Sequence, residues 1–268
     1  MTALLEVRDL TARFTSRGET IEAVKGVSFD VARGETVGFV GESGSGKSVT
    51  ARAVMRLAPE GSTVRLGGAV NFDGRNLLEL PEGGMREIRG RRISMVFQDP
   101  MTSLNPVMSI GAQITDMLKR HMGVDGAAAR RRATELLDLV GIPNAAGRID
   151  DFPHQFSGGQ RQRVLIAIAV SCEPDLLIAD EPTTALDVTV QMQILRLLLR
   201  LRRDLGMALM LITHDFGVVA GMVDRVNVMY SGRIVESGPV EAIFAAPQHE
   251  YTRALLDAVP RLEMERGA

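Results

Sequence analysis

The stretch Gly41-Glu42-Ser43-Gly44-Ser45-Gly46-Lys47-Ser48 constrains this chain more than any other. It fits the spacing G-x-x-x-x-G-K-[ST] in full, directly after the apolar run Thr36 to Val40 and ahead of residues compatible with a helix starting near Lys47. Glycines at 41, 44 and 46 let backbone N–H groups turn inward, and the following helix adds the positive end of its dipole. The pattern therefore requires a buried strand, a tight loop and a helix, with an anion at the centre of the loop. Lys47 is expected to neutralise the β and γ phosphates of a nucleotide, and the Ser48 hydroxyl to ligate Mg2+.

Three further apolar runs, Ile93 to Phe97, Asp175 to Ala179 and Ala208 to Thr213, alternate with segments of helical period. Together with Thr36 to Val40 they predict an α/β fold with a mostly parallel sheet covered by helices. A polar residue follows each run at once: Gly41, Gln98, Asp180 and His214. Ligands of an open parallel sheet sit at the carboxyl ends of its strands, so these four positions are expected to converge on one crevice. Asp180 and Glu181 end a buried strand, where a carboxylate needs a cationic partner. Asp180 is placed to hold Mg2+ or its water, and Glu181 to polarise the water that attacks a γ-phosphate. Taken alone, such an acidic strand end is equally a solvated turn. Gln98 and His214 are hydrogen-bonding groups suited to the γ-phosphate, its metal or that water.

The rest of the chain divides around this core. Residues 4–10 and 21–31 read as antiparallel strands of a side sheet, joined by a polar turn containing Gly18. Between Gln98 and Ser157 the pattern is mainly helical, with amphipathic candidates over 110–121 and 127–140 broken by Gly123, Gly141 and Pro143. This is read as a helical subdomain, about 99–156, inserted between strands. Short strands are expected at 225–230 and 233–236, then helices at 240–245 and 251–259 in a C-terminal extension of about 233–268. Ser157-Gly158-Gly159-Gln160 precedes a helical run over 161–171 and forms a second anion-binding helix start, with Ser157 as N-cap. A plain cap accounts for the same residues. A second phosphate cradle is most useful where it closes over a nucleotide held by another subunit.

Composition excludes several classes of partner. With 31 Lys and Arg against 33 Asp and Glu the net charge is -2, so no basic field favours nucleic acid. The single cysteine, Cys172, is read as a small buried apolar residue. The N-terminus carries Glu6, Arg8 and Asp9 where a signal peptide needs an apolar stretch, and no run approaches the roughly 20 apolar residues of a membrane span. Membrane association is expected only through a partner.

These motifs together resemble the ATPases of ABC transporters, and the resemblance covers almost the whole chain as a single nucleotide-binding domain, residues 1–268. It identifies residues 41–48, with Val49, as the nucleotide loop, Gln98 as the Q-loop glutamine, Phe156 to Gln160 as the signature, and Ala185-Leu186-Asp187 as the D-loop. It further implies Asp180 and Glu181 as the acidic strand end, His214 as the switch histidine, and Phe14 as the aromatic that stacks on adenine. Phe156 replaces the commoner leucine of the signature, with Ser157 and Gly159 retained. The family implies ATP and Mg2+ as cofactors and Ser48, Gln98 and Asp180 as metal-site residues. It also implies a head-to-tail dimer sandwiching two ATPs, each between the loop of one chain and the signature of the other.

Residues 97–111, 180–191 and 249–260 resemble the peptide and nickel importer branch. That branch implies a second, often non-identical ATPase chain, two transmembrane permease subunits and a periplasmic or extracellular solute-binding protein, with this chain at the cytoplasmic face of the inner membrane, held there through the permeases. Some members carry a cysteine-rich C-terminal extension; with no cysteine after Cys172, no iron-sulfur cluster is expected here. The rival readings are a soluble ABC ATPase of a non-transport complex, and a DNA-repair ATPase, which needs a coiled coil or basic groove that the sequence lacks.

Overall fold

A six-stranded sheet in the order β10-β9-β3-β8-β7-β6 places the strand of the glycine-rich loop near its centre. The computed structural model describes residues 3–16, 19–58, 63–184 and 186–258. In chain order these form β1 (Ala3–Ser16), β2 (Glu19–Ala32), β3 (Thr36–Val40), α1 (Lys47–Val54), β4 (Thr63–Phe72), β5 (Arg75–Asn76), α2 (Glu82–Ile88) and β6 (Ile93–Val96). Next come α3 (Pro100–Ser103), α4 (Ile110–Met122), α5 (Gly126–Leu139), α6 (Ala145–Arg148), α7 (Gly158–Val170), β7 (Leu176–Asp180) and α8 (Val188–Leu205). The chain continues through β8 (Ala208–Thr213), α9 (Phe216–Val219), β9 (Arg225–Tyr230), β10 (Arg233–Pro239), α10 (Val240–Ala245) and α11 (Glu250–Asp257).

Strand β3 pairs in parallel with β8 and β9, and β7 in parallel with β8 and β6; only β10 runs antiparallel. The apolar runs are continuous because both faces of this sheet are buried. Along β7, Leu177 and Ala179 face a core shared with α4, α5, α7 and α8. Leu176 and Ile178 face a second core shared with β1, β2, β4, α1 and α2. Strand β8 alternates in the same way, with Leu209 and Leu211 on one side and Ala208, Met210 and Ile212 on the other. Each such leucine, isoleucine or methionine contributes about 1.5–3 kcal/mol on burial, so the sheet is a stiff platform for whatever hangs from its strand ends.

The side sheet is larger than the sequence suggests, with order β2-β1-β4-β5, all antiparallel. Strand β4 escaped the pattern reading because Gly67 and Gly68 interrupt it and most of its residues are only half-buried. The glycine at 68 has a structural cause: β1 bulges at Asp9 (φ 47°), and a Cβ at Gly68 would lie 2.4 Å from the Asp9 carbonyl oxygen. The turn at Gly18 and residue Val259 of the last expected helix lie outside the described residues. The helices expected over 110–121 and 127–140 form as α4 and α5, the short α3 and α6 add to them, and the helix expected over 161–171 starts earlier, at Gly158.

Candidate active site

The loop after β3 closes on itself through Lys47. Its ammonium, 3% exposed, donates to the Gly41 carbonyl at 2.7 Å and the Glu42 carbonyl at 2.9 Å, with Ser45 Oγ at 3.4 Å. Burial pulls the Lys47 pKa down, while the carboxylates of Glu181 and Asp180 push against that shift. Glycine at 41 is obligatory: φ is 149°, and a Cβ there would lie 2.2 Å from the Met229 carbonyl oxygen of β9. Gly46 ends the loop as the N-cap of α1 at φ 106°. The Ser45 carbonyl accepts the Gly232 N–H at 2.9 Å, tying the loop to the β9–β10 turn. Glu42, Ser43 and Gly44 are exposed, whereas Val49 packs against the second core.

Asp180 is the last residue of β7 rather than the first after it, and it is fully buried. Ser48 Oγ donates to its Oδ1 at 2.6 Å, and its Oδ2 is buried without a hydrogen-bond partner. Burial raises the Asp180 pKa, against the Ser48 hydrogen bond and the positive charges of Arg52 and Lys47. An orphaned carboxylate oxygen beside a hydroxyl is a hard, all-oxygen donor set facing the phosphate loop. It fits Mg2+, which takes one or two protein oxygens and completes its shell with water and phosphate oxygens. Among the described residues no cluster of three His, Cys, Asp or Glu side chains offers an alternative metal cage.

Glu181 follows in the left-handed backbone region, φ 46°, with its N–H bonded to Ile212 O of β8 at 3.0 Å. That conformation costs a non-glycine residue about 1–2 kcal/mol and turns the side chain out of the strand direction. Its Oε2 accepts from Gln98 Nε2 at 2.9 Å and Thr184 Oγ1 at 3.0 Å, with His214 Nδ1 at 3.5 Å. Gln98 extends from the end of β6 and His214 from the end of β8, so the four strand ends meet as expected. The His214 side chain is 58% exposed, whereas that of Glu181 is only 10% exposed. A nearly buried carboxylate held by neutral donors, next to a buried lysine and a candidate cation site, suits activation of water beside a phosphate.

The second anion site lies apart from this cluster. Ser157 Oγ accepts the Gln160 N–H at 3.3 Å and Gln160 Oε1 accepts the Ser157 N–H at 3.1 Å, a reciprocal cap on α7. Ser157 and Gly158 are exposed, and among the described residues no hydrogen bond joins 157–160 to 41–48. Gly159 packs under Val190 of α8, where a Cβ would lie 2.7 Å from Val190 Cγ1. Asp187 caps α8 by accepting the Val190 N–H at 3.0 Å. Leu186 lies beside Gly158, while Ala185 lies outside the described residues. Phe14 sits in β1 between Ile21 and Val64, half-buried against the second core.

Three residues around the site have roles that the sequence reading did not single out. Thr184 fixes Glu181 as described. Arg148 stacks its guanidinium 4.0 Å from the Phe156 ring centroid, pairs with Asp151 at 2.9 Å, and donates to Gln155 O at 3.0 Å and Gln160 Oε1 at 3.4 Å. Tyr251 of α11 accepts the Glu42 N–H at 2.9 Å. A pattern of glycines and carboxylates has no place for such partners, which are set by packing.

Comparisons with known proteins point to one family. A family model described as ABC transporter matches residues 24–184, and one described as oligopeptide/dipeptide transporter, C-terminal region, matches 235–267. The oligopeptide transport ATP-binding protein OppD of Bacillus subtilis is 52% identical over 263 residues, 98% of this chain and 74% of that protein. The dipeptide transport ATP-binding protein DppD of the same organism is 51% identical, covering 98% of this chain and 79% of that protein. The dimeric ATP-binding cassette MJ0796, in a post-hydrolysis state bound to ADP and Pi, superimposes with TM-score 0.77 at 28% identity, covering 88% of this chain and 98% of that one.

Proposed function

The chain belongs to the ABC transporter family of ATPases, and we propose that it powers a bacterial importer of peptides or related small solutes. The observation that carries the solute class is the match of residues 235–267 to the oligopeptide/dipeptide transporter C-terminal region. Relatives across almost the full chain with peptide-transport names support the same class.

In this reading the loop N–H groups and Lys47 hold the β and γ phosphates, and Phe14 stacks on the adenine. Ser48 and Asp180, with Gln98, would hold Mg2+, which would supply positive charge to offset that of the phosphates. Glu181 takes the proton of the attacking water; Gln98 and Thr184 keep its carboxylate oriented, and His214 serves the γ-phosphate from the opposite strand end. The Ser157 to Gln160 helix start, exposed at Ser157 and Gly158, completes the nucleotide site of a second ATPase chain, with Asp187 at the junction. The dimeric cassette among the structural relatives supports this arrangement.

The partners of the assembly are a second ATPase chain, identical or homologous, two permease subunits and a solute-binding protein. No described helix is long and apolar enough to cross a membrane, so attachment to the cytoplasmic face of the inner membrane runs through the permeases. A groove of about 430 Å³ supports that docking; it is lined by Met55 and Phe97 of the core, by Met108 and Met117 of the helical subdomain and by Ile168 of α7. The test is purification from membranes with associated subunits, reconstitution in vesicles and measurement of ATP-dependent peptide uptake. Uptake that disappears with Glu181→Gln is expected; an assembly that contains no permease contradicts the proposal.

A further inference from the structure

The C-terminal segment reaches the phosphate loop through one side chain. In the middle of β10, the Glu236 carboxylate accepts the N–H groups of Gln248 at 2.7 Å and His249 at 3.0 Å. His249 Nδ1 in turn accepts the Tyr251 N–H at 3.1 Å and caps α11. These bonds fix the start of α11, and the Tyr251 ring packs on Tyr230 at the end of β9 with ring centroids 4.4 Å apart. The position of the phenol is thus set by two elements of the fold.

The phenol oxygen accepts the Glu42 N–H at 2.9 Å. The other end of that same peptide group, the Gly41 carbonyl, accepts the Lys47 ammonium at 2.7 Å. Tyr251 and Lys47 therefore grip opposite ends of the Gly41–Glu42 peptide, and a rotation of that peptide plane breaks both bonds. Hydrogen bonds at the two ends of one amide polarise each other and strengthen together. The Glu42 carbonyl also accepts from Lys47, at 2.9 Å, so the lysine's two shortest bonds both lie on the two residues that the phenol steadies.

We propose that Tyr251 is a positioning residue for nucleotide binding: by holding the Gly41–Glu42 peptide it sets where Lys47 presents its charge, which makes α11 part of the nucleotide site. This rests on reading residues 41–48 as the ATP cradle. It assigns a task to the C-terminal region matched over residues 235–267, which is to tie the carboxyl end of the chain to the phosphate loop. Tyr251 touches no reacting atom in this account, so its effect falls on nucleotide affinity rather than on the chemical step.

The experiment uses the full-length chain with Tyr251→Phe and Tyr251→Ala, measuring the Kd for MgATP and the KM and kcat of hydrolysis. Tyr251→Phe keeps the ring and its packing on Tyr230 and removes only the hydroxyl. Its Kd and KM are expected to rise about three- to tenfold, the range of one hydrogen bond, with kcat within about twofold of the unsubstituted chain. Tyr251→Ala is expected to show at least the same loss. A Tyr251→Phe chain that binds MgATP like the unsubstituted one overturns the inference, even where Tyr251→Ala is impaired, because the ring alone then matters. A fall in kcat at unchanged KM overturns it too. Failure of the unsubstituted chain to bind MgATP overturns both this inference and the reading of the site beneath it.

Discussion

Replacing Glu181 by Gln separates the chemical step from everything else the site does. The glutamine has nearly the same volume, and the position is only 9% exposed, so no cavity and no new exposed surface arise. Oε2 now accepts from Gln98 Nε2 and Thr184 Oγ1. A glutamine retains one carbonyl oxygen for these donors and turns its amide toward His214 or solvent. Rearrangement of one such hydrogen bond costs about 1 kcal/mol, a melting shift of about 2–4 °C in a domain of this size. Loss of a general base removes about 10²–10⁴ in rate, or about 2.7–5.4 kcal/mol of transition-state stabilisation. Since Lys47, Ser48 and the loop are untouched, the Kd for MgATP should stay within about threefold of the original. Phosphate release under single-turnover conditions, beside a direct MgATP titration, measures both quantities. Hydrolysis within threefold of the unsubstituted chain removes Glu181 from the mechanism. A tenfold loss of MgATP affinity refutes the separation of binding from chemistry.

Three other perturbations follow from the same geometry. Asp180→Asn should make the nucleotide-free chain melt at a higher temperature near neutral pH while abolishing hydrolysis. The Asp180 pKa is raised above 3.8 by burial, so the folded chain holds this proton more tightly than the unfolded one. Stability from this group is full below 3.8 and is lost as pH rises through the raised value. The variant's advantage therefore shrinks as pH falls toward 3.8, and a lower melting temperature for it near pH 7 contradicts the sign. Gly41→Ala pushes a methyl against the Met229 carbonyl and should weaken MgATP binding by about tenfold or more, read by calorimetric titration. Arg148→Ala removes the stacking on Phe156 and the bonds to Gln155, Gln160 and Asp151, costing about 1–3 kcal/mol by thermal melting. It should lower hydrolysis in the assembled ATPase while leaving MgATP binding to the isolated chain intact, and equal loss of both contradicts a role confined to the 156–160 segment.

The fold was legible where residue type and spacing are forced by physics. Runs such as 36–40 and 208–213 had to be strands buried on both faces, since no other element hides five or six consecutive apolar residues so briefly between polar ones. The phosphate loop was legible because its glycines are demanded: a Cβ at Gly41 or Gly46 would meet backbone, and Gly44 has a positive φ of 82°. Strand β4 was not, because its two glycines answer a bulge in β1 that only tertiary pairing reveals. The meeting of Gln98, Asp180, Glu181 and His214 was inferable from strand ends, but the left-handed turn at Glu181 that aims its carboxylate was not. The roles of Thr184, Arg148 and Tyr251 were not legible, for a common reason: an ordinary threonine, arginine or tyrosine acquires its task from neighbours, and the Glu42–Tyr251 bond spans 209 residues of chain.

The central claim is that residues 41–48 and 157–160 of one chain serve two different nucleotides. Two copies joined as a tandem fusion, one carrying Lys47→Ala and the other Ser157→Arg, test it by their rate of MgATP hydrolysis. The account predicts that this pair keeps one complete site and its activity, whereas placing both substitutions in a single copy beside an unsubstituted one leaves none. Activity in the second arrangement and silence in the first would mean that each chain closes its own site, and the account would be wrong.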